Sequence, residues 1–190
     1  MNINDDIRKA CEVMEKGGVI LYPTDTIWGI GCMASDADAV EKIYAIKRRD
    51  HSKSMLILAD RTSFRTGNKE IDSLLLDSSR PTTVIMPTHL LPSDITLASN
   101  LPADDGTIGV RLPNHYFCQE LISRLAQPIV STSANFSRLP SPTCYEEISD
   151  ELKSAVDYCV PNTLDTASGG TSGSKIVKVE PDGSTTIIRN

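Results

Sequence analysis

Apolar positions along this chain fall into short runs and helical stripes, broken at prolines and glycines. Ile7, Cys11 and Met14 recur at helical spacing. Asp5 or Asp6 can cap them and Gly17-Gly18 ends the last turn, so the spacing predicts a helix over 5–16. The run Val19-Ile20-Leu21-Tyr22, closed by Pro23, predicts a buried strand. Thr24 to Gly31, rich in hydroxyls and glycine, reads as a loop. Ser35 or Asp36 caps a second helix with Val40, Ile43, Tyr44 and Ile46 on its apolar face. That helix ends in Lys47-Arg48-Arg49, where bases suit the negative end of its dipole.

Further along, 55–58 predicts a buried strand, 71–76 a helix and 82–86 a strand closed by Pro87. The stretch 89–105 has several prolines and no clear period, and reads as an irregular excursion over the surface. A strand follows over 107–112, then a helix capped by Asn114 and running to about Leu125. Pro128-Ile129-Val130 leads a strand into Ser131-Thr132-Ser133-Ala134-Asn135, and Thr143 caps a further helix to about Val156. After a loop over 165–173, 176–179 and 185–188 form a hairpin around Pro181-Asp182-Gly183. Strands alternating with helices, then a β-rich end, predict an α/β fold with a mixed sheet. With no repeat and no linker, residues 1–190 read as one domain.

Composition narrows the functional classes. Hydrophobic residues at 39% and charged residues at 23% exclude disordered and fibrous chains. No apolar run approaches the ~20 residues of a membrane span, and the acidic start MNINDDIRKA is no secretory signal. The 5 cysteines are dispersed without a C-x-x-C, which predicts reduced thiols and a cytoplasmic protein. His51, His89 and His115 stand apart, so no metal site is expected. A net charge of −6 opposes a basic nucleic-acid coat. Where bases do cluster therefore carries more meaning.

Five stretches can carry chemistry. Tyr22-Pro23-Thr24-Asp25-Thr26 leaves a strand with two hydroxyls on one side of an extended loop, suited to a small polar ligand or to an ordinary turn. Lys47-Arg48-Arg49-Asp50-His51-Ser52-Lys53 puts 4 bases in 7 residues, a polyphosphate cradle or a solvated helix end. Arg111 sits inside an apolar strand, and its buried guanidinium needs an anion, either a ligand carboxylate or an internal acid. Ser131-Thr132-Ser133-Ala134-Asn135 offers backbone N–H groups and hydroxyls to a phosphate. No G-x-S-x-G accompanies it, so no catalytic serine is expected. Finally, Ser174-Lys175 follows a glycine-rich stretch whose spacing and following strand are wrong for a phosphate-binding P-loop.

In this order the five stretches resemble the YrdC-like family of threonylcarbamoyl-adenylate synthases, over about Gly17 to Arg189. The resemblance rests on Y-P-T-D-T-x-x-G-x-G, K-x-R, V-R-x-P and S-x-S-A-N. It implies a twisted, open mixed sheet with helices around a concave, positively lined cavity. It also implies a nucleotidyltransferase joining L-threonine, bicarbonate and ATP, with Mg²⁺ on the phosphates, into threonylcarbamoyl-AMP and pyrophosphate. A downstream transferase complex would then modify tRNA. By matching position, Lys47, Arg49, Lys53, Thr107, Ser133, Asn135 and Arg189 face ATP. Thr24, Thr26, Arg111, Ser131 and Ser174 face threonine. No protein nucleophile is implied, only positioning and charge neutralisation.

Two other readings go with the resemblance. One is a non-catalytic module binding tRNA or double-stranded RNA; the other is a YciO-like paralogue, in which K-x-R and S-A-N are typically eroded. Both elements are intact here. The chain also departs from the family pattern. Asp50 replaces the proline after K-x-R and could weaken ATP binding. Ser54-Met55 replaces P-L, Ser79-Arg80-Pro81-Thr82-Thr83 replaces W-P-G-P-L-T, and Lys175 in place of threonine could add a charge. The end at Arg189-Asn190 implies no further C-terminal domain. The assignment predicts that Lys47, Arg49, Arg111 and Arg189 converge on one hollow, and that Lys47→Glu abolishes ATP binding with the fold intact.

Overall fold

The computed structural model describes residues 2–51, 54–77, 79–162 and 173–190. Of the loop expected over 165–173, residues 165–172 lie outside the described residues, as does Lys53. The chain opens with α1 (Ile3–Met14), which buries Ile7, Ala10, Cys11 and Met14. Its N-cap is Asn2, not Asp5 or Asp6, since Asn2 accepts from the Asn4 N–H. Asp6 is inside the helix and buried, where it takes a 2.7 Å hydrogen bond from the Tyr158 hydroxyl. β1 (Ile20–Tyr22) follows as expected.

Residues 29–31, read as loop, form β2 (Gly29–Gly31), paired antiparallel with β1. Its glycines are what let the strand fit. A Cβ on Gly31 would lie 2.2 Å from the Val130 carbonyl oxygen and 2.9 Å from the Tyr22 ring. α2 (Ala37–Lys47) is capped by Asp36, whose carboxylate accepts from the Ala39 N–H, and ends at Arg48 in the left-handed region (φ 50°). β3 (Leu56–Leu58), α3 (Lys69–Leu76), β4 (Thr82–Pro87) and β5 (Thr107–Arg111) lie close to their expected places. The stretch between β4 and β5 is irregular as read, apart from one short 3₁₀ turn at Thr88–Leu90.

α4 (Tyr116–Leu125) starts after His115 rather than Asn114, which gives no side-chain cap. The Asn114 N–H donates instead to Asp25. β6 (Ile129–Ser133) extends through the hydroxyl-rich stretch. The expected helix over 143–156 divides into a 3₁₀ turn (Tyr145–Glu147) and α5 (Asp150–Ala155), capped by Ser149. Thr143 is drawn off by Glu147, which accepts from both its N–H and its hydroxyl. A short unforeseen strand, β7 (Tyr158–Cys159), pairs with β1. β8 (Lys175–Val179) and β9 (Thr185–Arg189) form the expected hairpin.

Among the described residues the strands form one mixed sheet in the order β7-β1-β2-β6-β3-β5-β4-β8-β9. Three neighbouring pairs are parallel (β1–β7, β3–β5, β4–β8) and the rest antiparallel. One continuous core runs from Ile7 through Ile57, Val110 and Val130 to Val179. The register sets two cross-strand rows on one face, because residues two apart on a strand share a side. One row is Ser131, Leu56, Gly109, Ile85. The next is Arg111, Thr83, Ile176, Arg189.

Candidate functional site

These two rows floor a cavity of about 320 Å³. Its lining also includes Thr26 and Trp28 from the turn after β1, Arg49 and Ser54 beyond α2, Ser133, Ser141, and Gly173-Ser174 before β8. Gly109 opens the floor. A Cβ there would press Leu56 at 3.1 Å and Thr83 at 3.3 Å and fill space the hollow needs.

Arg111 is the best-defined cation. Its Nη1 donates to Asp25 Oδ1 at 2.5 Å and to Thr26 Oγ1 at 2.9 Å, with both charged side chains under a tenth exposed. The open alternative is thereby resolved: the partner within the fold is Asp25. The pair leaves Arg111 Nε buried with no hydrogen-bond partner. A buried N–H without an acceptor is costly, and the Nε side of a guanidinium is one that a carboxylate can take in a two-point bond. Asp25 is itself fixed by the Asn114 N–H at 2.9 Å, so it holds Arg111 in orientation.

The hydroxyls around Arg111 are equally constrained. Thr24 and Thr26 share a 2.9 Å hydrogen bond, the Thr26 N–H donates to Thr24 Oγ1, and the Thr24 hydroxyl donates to the Ile27 carbonyl. Thr26 faces the cavity; Thr24 stands behind it and stiffens the turn. Ser131 lies across, close enough that a Cβ on Gly29 would be 3.3 Å from its Oγ.

The basic cluster after α2 splits. Arg49 lines the cavity, with Nη2 donating to the Ser54 carbonyl at 2.8 Å. Arg48 turns outward to Glu151 and the Phe136 ring. Lys47 is only 1% exposed and does not reach the lining. Its Nζ donates to the Ser133 carbonyl, to the Asn135 carbonyl at 2.6 Å and to Asn135 Oδ1 at 3.4 Å. An ammonium has three protons, and all three are engaged by the Ser133–Asn135 turn. Burial, with Arg49 beside it, pushes the Lys47 pKa down to about 7. Lys47→Glu would set a carboxylate against three acceptor oxygens, so the expectation of an undisturbed fold does not stand.

Asn135 likewise stands behind the lining: it accepts from the Ser133 hydroxyl and donates to the Leu139 carbonyl. Ser133 and Ser131 face the cavity, as do Ser174 and Arg189. Arg189 donates through Nε and Nη2 to the Ser174 carbonyl at 2.9 and 2.7 Å. Burial, and then the charges of Arg111 and Arg80, hold its pKa below the usual range, so a bound anion would relieve it. Thr107 does not join the others. It lies at the opposite end of β5 from Arg111, and its hydroxyl donates to Asp105 at 2.6 Å. Neither Asp50 nor Lys175 reaches the lining.

Sequence reasoning passed over Thr83, Ser54, Ser141 and Gly173 in the lining. For Thr83 a signal existed: T-x-I in β4 and G-x-R in β5 alternate in phase, which marks one shared face. Ser141 gives no such signal, because it lies on an irregular stretch.

Three guanidinium groups and a ring of hydroxyls, with no carboxylate in the lining among the described residues, define a pocket protein for small anionic ligands. The family model Sua5/YciO/YrdC, described as telomere recombination, matches residues 12–190, and the chain belongs to that family. It is 31% identical over 165 residues to a threonylcarbamoyl-AMP synthase of Hahella chejuensis, covering 83% of this chain and 86% of the relative. A crystal structure of P. abyssi Sua5 complexed with L-threonine has the same fold (TM-score 0.72, 22% identity). The match covers 96% of this chain and 53% of that one, so this chain spans about half its length. A phosphate- and nucleotide-bound HypF structure matches with TM-score 0.78 and 25% identity, over 97% of this chain and 28% of its own.

Proposed function

We propose that this protein is an L-threonylcarbamoyladenylate synthase, a nucleotidyltransferase that works in the cytoplasm as a single domain and supplies tRNA modification. The observation that carries the reading is the convergence of Arg49, Arg111 and Arg189, from three distant stretches, on one hollow. The similarity to threonylcarbamoyl-AMP synthases supports the choice of substrates.

In this reading Arg111 Nε, left without a partner by the Asp25 pair, takes the threonine carboxylate, and Thr26, Ser131 and Ser174 surround the amino acid. Arg49 and Arg189 flank the triphosphate, with Ser133 at its side. Lys47 and Asn135 act from behind by setting the Ser133–Asn135 turn. The threonine amine adds to bicarbonate with loss of water, giving a carbamate. A carbamate oxygen attacks the α-phosphorus, and the bond to pyrophosphate breaks. The chain's contribution is orientation and charge neutralisation. Among the described residues no group of three His, Cys, Asp or Glu could hold a metal. In this reading Mg²⁺ would be held by the phosphates and its own waters.

The test is pyrophosphate release from ATP by purified protein. It is expected to require both threonine and bicarbonate; release independent of either overturns the reading. The RNA-binding alternative predicts steeply salt-dependent tRNA binding, and a flat isotherm at low salt removes it.

A further inference from the structure

From the position of Thr83 we infer that it is a positioning residue that couples the amino-acid end of the cavity to the nucleotide end. The inference rests on the proposed synthase reading and adds a residue to it. Thr83 sits in β4 between Arg111 on one neighbouring strand and Ile176, itself paired with Arg189, on the other. It thus lies on the cross-strand row between the two guanidinium-bearing residues, directly beside Arg111 and separated from Arg189 by that residue's neighbour Ile176.

The Thr83 side chain is 2% exposed, and its hydroxyl shares a 2.7 Å hydrogen bond with the hydroxyl of Ser174, also buried. Ser174 is held from its other side through its carbonyl, which accepts twice from Arg189. One residue therefore receives Thr83 at its side chain and Arg189 at its backbone. The Arg189 guanidinium packs so closely on Gly173 that a Cβ there would lie 2.6 Å from Nη2. The arginine can keep this place only while the Gly173-Ser174 backbone keeps its own. Pinning Ser174 by its hydroxyl fixes both the group beside the amino acid and the carbonyl that aims the arginine. At the other end of the row, Thr83 Cγ2 faces Gly109, two residues before Arg111, and helps keep the floor open.

Thr83→Val keeps the branched shape and removes the hydroxyl; Thr83→Ser keeps the hydroxyl. Loss of one buried hydrogen bond predicts a rise of about fivefold to tenfold in KM for threonine in Thr83→Val, with a smaller change in kcat. Thr83→Ser is expected to stay within about twofold of the wild type. Because both partners act through one bond, Thr83→Val combined with Ser174→Ala should be no worse than the worse single variant. A readout independent of turnover is the Arg189 Nε–H proton, followed by ¹⁵N NMR and assigned by its loss in Arg189→Lys. In wild type its exchange with solvent is expected to be slow, in Thr83→Val several-fold faster, and in Thr83→Ser restored. Unchanged exchange in Thr83→Val overturns the inference, as does full additivity with Ser174→Ala. If the wild-type protein lacks threonine-dependent pyrophosphate release, the synthase reading fails, and the exchange measurement alone decides the role of Thr83.

Discussion

Lys47 and Arg49 stand two residues apart, yet one faces protein oxygens and the other faces the cavity. The left-handed residue between them, Arg48, turns the chain and separates their directions. Sequence presents both as free cations, since charge and spacing say nothing about which carbonyls will be near. Lys47→Met is expected to lower stability by about 2–3 kcal/mol, because three acceptors lose a buried donor, as read from the urea midpoint. The pH dependence has a definite sign. The folded pKa is about 7 and the unfolded value near 10.4, so above pH 7 the unfolded chain binds the extra proton. Stability from this group therefore rises with pH above 7. Burial raises the thiol pKa of Cys32 and Cys118, which opposes the rise only where free thiols ionise, near 8.5 and above. Between pH 7 and about 8 the Lys47→Met variant should show a flatter profile than wild type. Asp25→Asn breaks a buried ion pair, and such losses cost about 3–5 kcal/mol. It should also raise KM for threonine more than KM for ATP, measured by pyrophosphate release.

Elements were legible where one face of a helix is apolar, as in α1, α2 and α4, or where a short run is apolar throughout, as in β1, because such patterns survive without knowledge of the partner. They were not legible where pairing alone makes the strand. β2 has two glycines in three residues, and its identity comes from fitting between β1 and β6. Gly31→Ala would drive a methyl into the Val130 carbonyl, and overpacking of this kind against backbone is expected to cost about 3 kcal/mol or more. Thermal unfolding of that variant checks it. Helix starts were misplaced for a related reason. Several residues near each start can cap, and competing side-chain bonds choose among them: Asp6 goes to Tyr158 across the fold, Thr143 to Glu147 four residues on. Ser149→Ala should accordingly cost about 1 kcal/mol, a cap's usual contribution. Thr143→Ala should leave α5 intact, as compared by urea unfolding.

At the scale of the whole molecule, the charge sum and the site oppose each other. The chain carries −6 overall, while the cavity over the sheet is lined by three arginines and, among the described residues, by no carboxylate. Burial acts on Arg49 and Arg189, and the charge of Arg111 on Arg189, until an anion arrives, so binding should stabilise the fold. Ligand at about 100 times its Kd adds about 2.7 kcal/mol. For a chain of this size that is a rise of about 5–10 °C in Tm. Differential scanning fluorimetry with ATP and threonine together should show it, and Arg189→Ala should reduce the ATP part.

The sequence by itself determined the α/β class, the main helices and strands, and which stretches bear cations and hydroxyls. Those follow from local periodicity, from turn residues and from side-chain chemistry, all of which the chain carries in order. It also posed the question of Arg111, since a guanidinium in an apolar strand demands an anion. Only the tertiary structure answered it with Asp25, turned Lys47 inward, set Thr107 apart and brought Thr83 between two arginines. The physical reason is register. Sheet pairing joins residues tens of positions apart, and a one-residue slip reverses every side chain to the other face.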